Sequence, residues 1–234
     1  MTTLTDYREA IVDLVPGSHP LDASDLVDAQ TKAVAKAMDA HSKHRPVTVV
    51  EDVAGDGGFD YALADLEDWA DGFSVVREVE YPVDDTNETP DILDGADWTI
   101  YAKPSGEVLR FLNDKPSTDE SLRVTYTARH SCNDEGCTVK AGDEEAVQSL
   151  AASFYCKILA AAYALDVDST IAADTVNQGP RHAAFLKLAD QYRGEYNDHM
   201  GIQAGKPKPA VAIGDQDVTY PGGADRLTHP GRYR

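Results

Sequence analysis

No apolar run in this 234-residue chain approaches the roughly 18 residues needed to cross a bilayer. The opening residues, MTTLTDYREA, lack the basic start and apolar middle of a secretory signal. A protein that folds in a cytoplasm, with no membrane partner, is the expectation. Cysteine is scarce: Cys132, Cys137 and Cys156 are an odd set in a chain far too long to need covalent staples, which argues against a disulfide framework. Lysine is scarce too, with 10 against 29 Asp and 12 Glu, and the formal net charge is −20. Such a field opposes free binding to a nucleic-acid backbone.

Signs of a reaction centre are equally thin. No glycine-rich loop carries the lysine that holds phosphates. GDGG at 55–58 has neither that lysine nor a following helix, so it reads as a turn. No Gly-x-Ser-x-Gly elbow is present. Carboxylates are so abundant that no pair stands out. The expectation is therefore a chain with no catalytic residues, no metal and no cofactor. The one stretch with metal-ligand chemistry is HSCNDEGC. His130, Cys132 and Cys137, with Asp134 as a fourth donor, suit zinc by residue type but not by spacing. A local Cys132–Cys137 bond and two reduced loop thiols are the other readings, the last being preferred. Cys156, between Tyr155 and Lys157, reads as a small apolar core residue. His41, His44, His182 and His199 read as surface residues. Trp98 reads as core, and Trp69 is left open.

What the chain does contain is periodicity. Residues 5–15 have helical spacing, with Thr5 or Asp6 as cap and Pro16-Gly17 as stop. A second helix is expected over 22–42, started by Asp22 or Ser24, striped by Leu26, Ala29, Ala33 and Ala37, and closed by Arg45-Pro46. The period then becomes two. VTVVEDV, FSVVREVEYPV, WTIYA, EVLRFL and LRVTYTA read as about five antiparallel strands. In the second of these, Phe73, Val75, Val79, Tyr81 and Val83 are expected on one side, with Val76 on the other. Helical spacing returns from Asp143, the expected cap, toward Leu165. A last helix opens at Pro180, carries Phe185, Leu188, Ala189, Tyr192 and Tyr196, and ends at Gly201.

The order predicts an α+β fold: a helical bundle of two helices and then two more, an inserted antiparallel β-meander lobe, and an extended C-terminal arm. The divisions fall at 1–46, 47–130, 131–201 and 202–234. Charge follows them. Residues 201–234 hold five Lys or Arg against three Asp, a net +2, leaving −22 on residues 1–200. An arm and a body of opposite sign imply different partners.

Taken in sequence order, several segments resemble the head–tail adaptor (head-completion, or connector) proteins of tailed bacteriophages and tailed archaeal viruses. They are SKHRP, EVEYPV with a later DWTIY, LRF and then LRVTYTARH, DEEAVQSLAASFYC, DSTIAADTV, and ADQYRGEY, spread over about residues 5–200. The resemblance implies a structural virion protein at the head–tail junction, with no enzymatic activity. It implies a homo-oligomeric ring, commonly a dodecamer, docked on the portal protein and meeting neck, stopper or tail proteins. Genomic DNA would pass through the lumen without sequence-specific binding. The family's C-terminal arm implies portal contacts from Lys206, Lys208, Val211, Ile213 and Tyr220, continued by Arg226, Leu227, Arg232, Tyr233 and Arg234. DSTIAADTV supplies the expected subunit interface, through Asp168, Ile171, Ala172, Ala173, Asp174 and Val176. Two departures stand out: Gly179-Pro180 interrupts a last helix that the family commonly runs longer, and the tail exceeds the usual end.

The acidity has two specific readings beside plain solubility. A carboxylate-lined channel avoids friction with DNA, and an Asp-rich, Lys-poor surface suits high salt. A mixture of the two is the expectation, weighted toward high salt because the acidity covers the whole body. A rival of another class is an acidic, monomeric DNA mimic that inhibits a basic host enzyme.

Overall fold

The computed structural model describes residues 2–17, 21–84, 86, 89–165 and 178–202. Helix α1 (Leu4–Leu14) begins at Thr3, not at Thr5 or Asp6. The Asp6 N–H donates to the Thr3 hydroxyl, and the Thr3 N–H donates to the Asp6 carboxylate at 2.7 Å. This reciprocal box needs the acid three residues after the cap, which puts Asp6 inside the helix. Helix α2 (Ala23–His44) starts as expected at Asp22, whose Oδ1 accepts from the N–H groups of Ser24 and Asp25. It runs two residues past the expected end, and Arg45 then caps it.

Helix α3 (Glu144–Leu165) packs against α1, α2 and α4 (Gln178–His199). Val147, Leu150, Ala151, Tyr155 and Leu159 are buried along it, and so are Ala152, Cys156 and Ala160. A helix apolar on nearly every side must sit at the centre of its neighbours. Alanines on α2 (Ala29, Ala33 and Ala37) are buried and keep the α2 backbone close to that centre. Pro180 lies in the first turn of α4, and Gly201 follows its end with φ +66°, a conformation that glycine adopts without a Cβ clash.

The fold is α+β, with four helices and two three-stranded antiparallel sheets among the described residues. The strands do not form the expected meander. One sheet has the order β1 (Val47–Ala54), β6 (Ser121–Ala128), β3 (Val76–Glu80). The other has β2 (Asp60–Ala62), β5 (Gly106–Phe111), β4 (Trp98–Lys103). Among the described strands, only β4 and β5 are a hairpin of neighbours, joined by the KPSG turn. First strand pairs with last, Val47 opposite Ala128 through to Ala54 opposite Ser121. The lobe thus leaves the helices after α2 and returns to them before α3 along one pair of strands.

A bulge explains the reversed pattern in β3. Val76 lies opposite Tyr126 and Glu78 opposite Thr125, so Arg77 is the extra residue. Val76 and Val79 both turn inward, while Val75 is 60% exposed. One inserted residue exchanges the two faces on either side of it, so the expected sides for Val75 and Val76 are overturned. The sheets bury Tyr61, Leu63, Leu109, Phe111, Leu122 and Tyr126, among others, in one core. Trp98 is half-buried against it. Trp69 also packs there, 5.7 Å from the Tyr126 ring, and its indole N–H donates to Asp71.

Candidate functional site

The end of α2, the start of α3 and the end of α4 meet at the junction with the β lobe, and Asp143 lies at the centre. Its backbone carbonyl accepts the Val147 N–H, as a helix-capping residue's should. Its carboxylate does other work. Arg45 donates to both oxygens at 2.6 and 2.7 Å, and His199 Nε2 donates to Oδ1 at 2.9 Å. The Asp143 side chain is 4% exposed, against 55% for Arg45 and 41% for His199. Burial pushes its carboxyl up, but the hydrogen bonds from His199 and Arg45 outweigh that and hold it below the ordinary value.

His41 lies behind this pair and is 1% exposed, so the surface expectation for it is overturned. Its Nδ1 is 3.1 Å from the Tyr196 hydroxyl, and its Nε2 is 4.0 Å from Asp143 with no hydrogen-bond partner. A neutral ring with its proton on Nε2, toward the carboxylate, leaves Nδ1 to accept from Tyr196. Burial lowers the His41 pKa to about 4, and the positive forms of His130, Arg45 and His44 push the same way against Asp143. Burial likewise raises Tyr196 to about 12. His130 donates from Nε2 to the Arg45 carbonyl at 2.8 Å, which leaves Nδ1 to accept from the Thr138 hydroxyl at 3.0 Å. Its backbone N–H donates to Ser42, whose hydroxyl donates in turn to the Met38 carbonyl.

This cluster ties three helix ends to the strand that leaves the lobe. Both ring nitrogens of His130 are occupied by protein partners, which leaves it none for a metal or a substrate. Cys132 and Cys137 are joined in a disulfide, correcting the preferred reading of two reduced thiols. They also bridge as short antiparallel neighbours, so the turn Asn133–Gly136 brings them together. Among the described residues, no group of three or more His, Cys, Asp or Glu could hold a metal ion, and no helix is long and apolar enough to cross a membrane. Cys156 is fully buried, as a small apolar residue would be.

Residues 168–176, with the expected interface positions Asp168, Ile171, Ala172, Ala173, Asp174 and Val176, lie outside the described residues. So do all of the expected arm residues from Lys206 to Arg234. The cluster around Asp143 was missed in their place. One signal for it exists: Ala33, Ala37 and His41 follow one another at the helical i, i+4 spacing, which puts His41 on the buried stripe.

No family model matches the chain, and no curated protein does. Among solved structures, a chain in the virion of a native gene transfer agent particle is similar at 16% identity, over 82% of this chain and 88% of that one, with a TM-score of 0.29. A chain in the neck of an empty gene transfer agent particle is similar at 13% identity, over 80% of this chain and 87% of that one, also with a TM-score of 0.29.

Proposed function

We propose that this protein is a structural component of a phage-like particle, an adaptor that forms a ring between portal and tail. The observation that carries the reading is the placement of the ordered signature segments. SKHRP closes α2, LRVTYTARH forms β6 and leads to the junction, DEEAVQSLAASFYC opens the central helix, and ADQYRGEY ends α4. The charged and aromatic side chains of the cluster are Asp143, Arg45, His41, His130, Tyr196 and His199, and four of these six fall inside the segments: Arg45, His130, Asp143 and Tyr196. Four of the segments that carry the resemblance thus each place a residue where lobe and helices are joined. A ring subunit needs this rigidity, because a head-to-tail contact closes only if every copy repeats the same angle between its two faces.

In this reading the DSTIAADTV segment packs against the next copy through Ile171, Ala172, Ala173 and Val176. The basic arm beyond residue 202 clasps the portal. The acidic body stays clear of passing DNA, since like charge keeps phosphates from sticking. The setting would be the neck of such a particle.

Electron microscopy of particles carrying a gold-labelled copy tests it. Label at the vertex between capsid and tail is expected, and label anywhere else overturns the reading. Ile171→Asp tests the interface: the chain should fold with wild-type circular dichroism but fail to appear in particles. Rings that persist would put the seam elsewhere.

A further inference from the structure

One side of the β lobe is open. β1 is the outer strand of one sheet and β2 the outer strand of the other. A cavity of about 270 Å³ lies between them, walled by Val53, Tyr61, Leu63, Leu66 and Leu122. Its mouth is acidic, with Glu51, Asp52 and Asp65 around it. The Glu51 carboxylate accepts from the Tyr126 hydroxyl at 2.9 Å and the Glu67 N–H at 3.1 Å, neutral donors that leave its charge in place. Asp52 is paired with Arg123 at 2.6 Å, but Arg123 also reaches Glu80 at 3.4 Å, so one cation there meets two carboxylates. Asp65 is exposed and has no ion pair among the described residues.

We propose that this slot docks an extended, cationic segment of a partner protein. One aliphatic side chain of that segment enters the cavity, and lysines or arginines on either side of it meet Glu51 and Asp65. Its backbone lies along the free edge of β1. The chemistry of each part selects the same occupant. Outer strands present backbone N–H and C=O groups that an added strand satisfies. In an added strand, alternate side chains point to one side, so a single apolar pocket beside the edge reads one residue and skips its neighbours. A carboxylate rim attracts basic flanks and rejects acidic ones, which also keeps other copies of this acidic body from pairing edge to edge. Val50, exposed on the outer face of β1, offers a second apolar contact across the added pair. The proposal is independent of the ring reading, since a monomer would dock such a segment equally well.

The test is a titration of the full-length, ¹⁵N-labelled chain with the capped heptapeptide Lys-Lys-Thr-Leu-Thr-Lys-Lys. Saturable amide shifts are expected over residues 49–54 and 61–66. Replacing the peptide's leucine by serine should weaken binding by about tenfold, the value of burying one such side chain. Asp65→Lys in the protein should weaken it by about threefold, as one partly screened charge pair would. Ala62→Trp, at the exposed mouth, should block it. Equal affinity for the leucine and serine peptides would reduce the effect to charge attraction and overturn the proposal, as would shifts away from these strands or none at millimolar peptide. Should Ala62→Trp fail to fold, the two peptides and Asp65→Lys still decide. Carbodiimide cross-links from Lys206 or Lys208 to Asp65 without peptide would show this chain's own C-terminal segment in the slot, and would overturn a separate partner.

Discussion

Arg45 and Asp143, 98 residues apart in sequence, meet through one guanidinium nitrogen and both carboxylate oxygens at 2.6 and 2.7 Å. The pair is asymmetric. Asp143 is nearly sealed, and Arg45 covers it from the solvent side. Removing Arg45 therefore leaves a buried anion with His199 as its remaining donor, whereas removing Asp143 leaves a cation that water can reach. Arg45→Gln is expected to destabilise the fold by about 2 kcal/mol and Asp143→Asn by less, because the amide oxygen can still accept from Arg45 and His199 and the bond lost at the other position leaves only a cation that water can reach. Urea denaturation of the two variants and their double mutant checks this. A double mutant as damaged as the sum of the singles would mean the pair is not coupled.

His41 gives the fold a pH dependence with a definite sign. Its folded pKa is depressed to about 4 from an ordinary 6.5, so the unfolded chain takes up the proton first. Stability is whole above pH 6.5, falls between 6.5 and 4, and levels off below 4 once both states are protonated. The full loss is about 3 kcal/mol. Loss of carboxylate charge over the same range relieves repulsion in a −20 chain and acts in the opposite direction. The difference between wild type and His41→Phe isolates the histidine. That difference, from chemical denaturation at pH 7, 5.5 and 4, should shift in the variant's favour as the pH drops. A constant difference would mean that His41 does not titrate in this window.

Gly55 shows a backbone constraint with no unusual φ. A Cβ there would overlap the Ser117 carbonyl oxygen and stand 3.0 Å from that of Glu120, while the Gly55 N–H donates to the latter at 2.8 Å. The opposing atoms are main chain and cannot rotate away. Gly55→Ala should cost more than about 2 kcal/mol, by overpacking and by pulling the end of β1 from the 117–120 turn. Gly142→Ala, where a Cβ meets nothing within 4 Å, is the control and should be near neutral in the same urea melts.

The helices were legible in the sequence because their ends carry local chemistry. Asp22, Arg45-Pro46 and Gly201 act within a few residues of themselves, and the alanine stripe of α2 names its own buried face. Strand pairing was not legible in the same way. A period of two says which side chains share a face but nothing about which strand lies alongside, so β1 with β6 had no local signature. The bulge at Arg77 went further and reversed the faces assigned to Val75 and Val76. The Asp143 cluster escaped for a third reason. A histidine near a helix end reads as surface until the helices that cover it are in place, and only the 33–37–41 spacing hinted otherwise.

Salt separates the two specific readings of the acidity. The described ion pairs join a few cations to neighbouring carboxylates, as Arg123 does with Asp52 and Glu80, and Lys43 with Asp39. They leave most of the −20 unbalanced, and that self-repulsion destabilises the compact state until it is screened. At about 1 M salt the screening length falls to roughly 3 Å, shorter than the spacing of surface carboxylates. A chain adapted to high salt should therefore melt several degrees higher in multi-molar KCl than in dilute buffer. Arg123→Ala, which removes one of the few local cations, should lower the melting temperature in dilute buffer more than in concentrated KCl. A melting temperature equal in both solutions would overturn the high-salt reading and leave the DNA-facing role and plain solubility, because a fold that gains nothing from screening is not one adapted to concentrated salt.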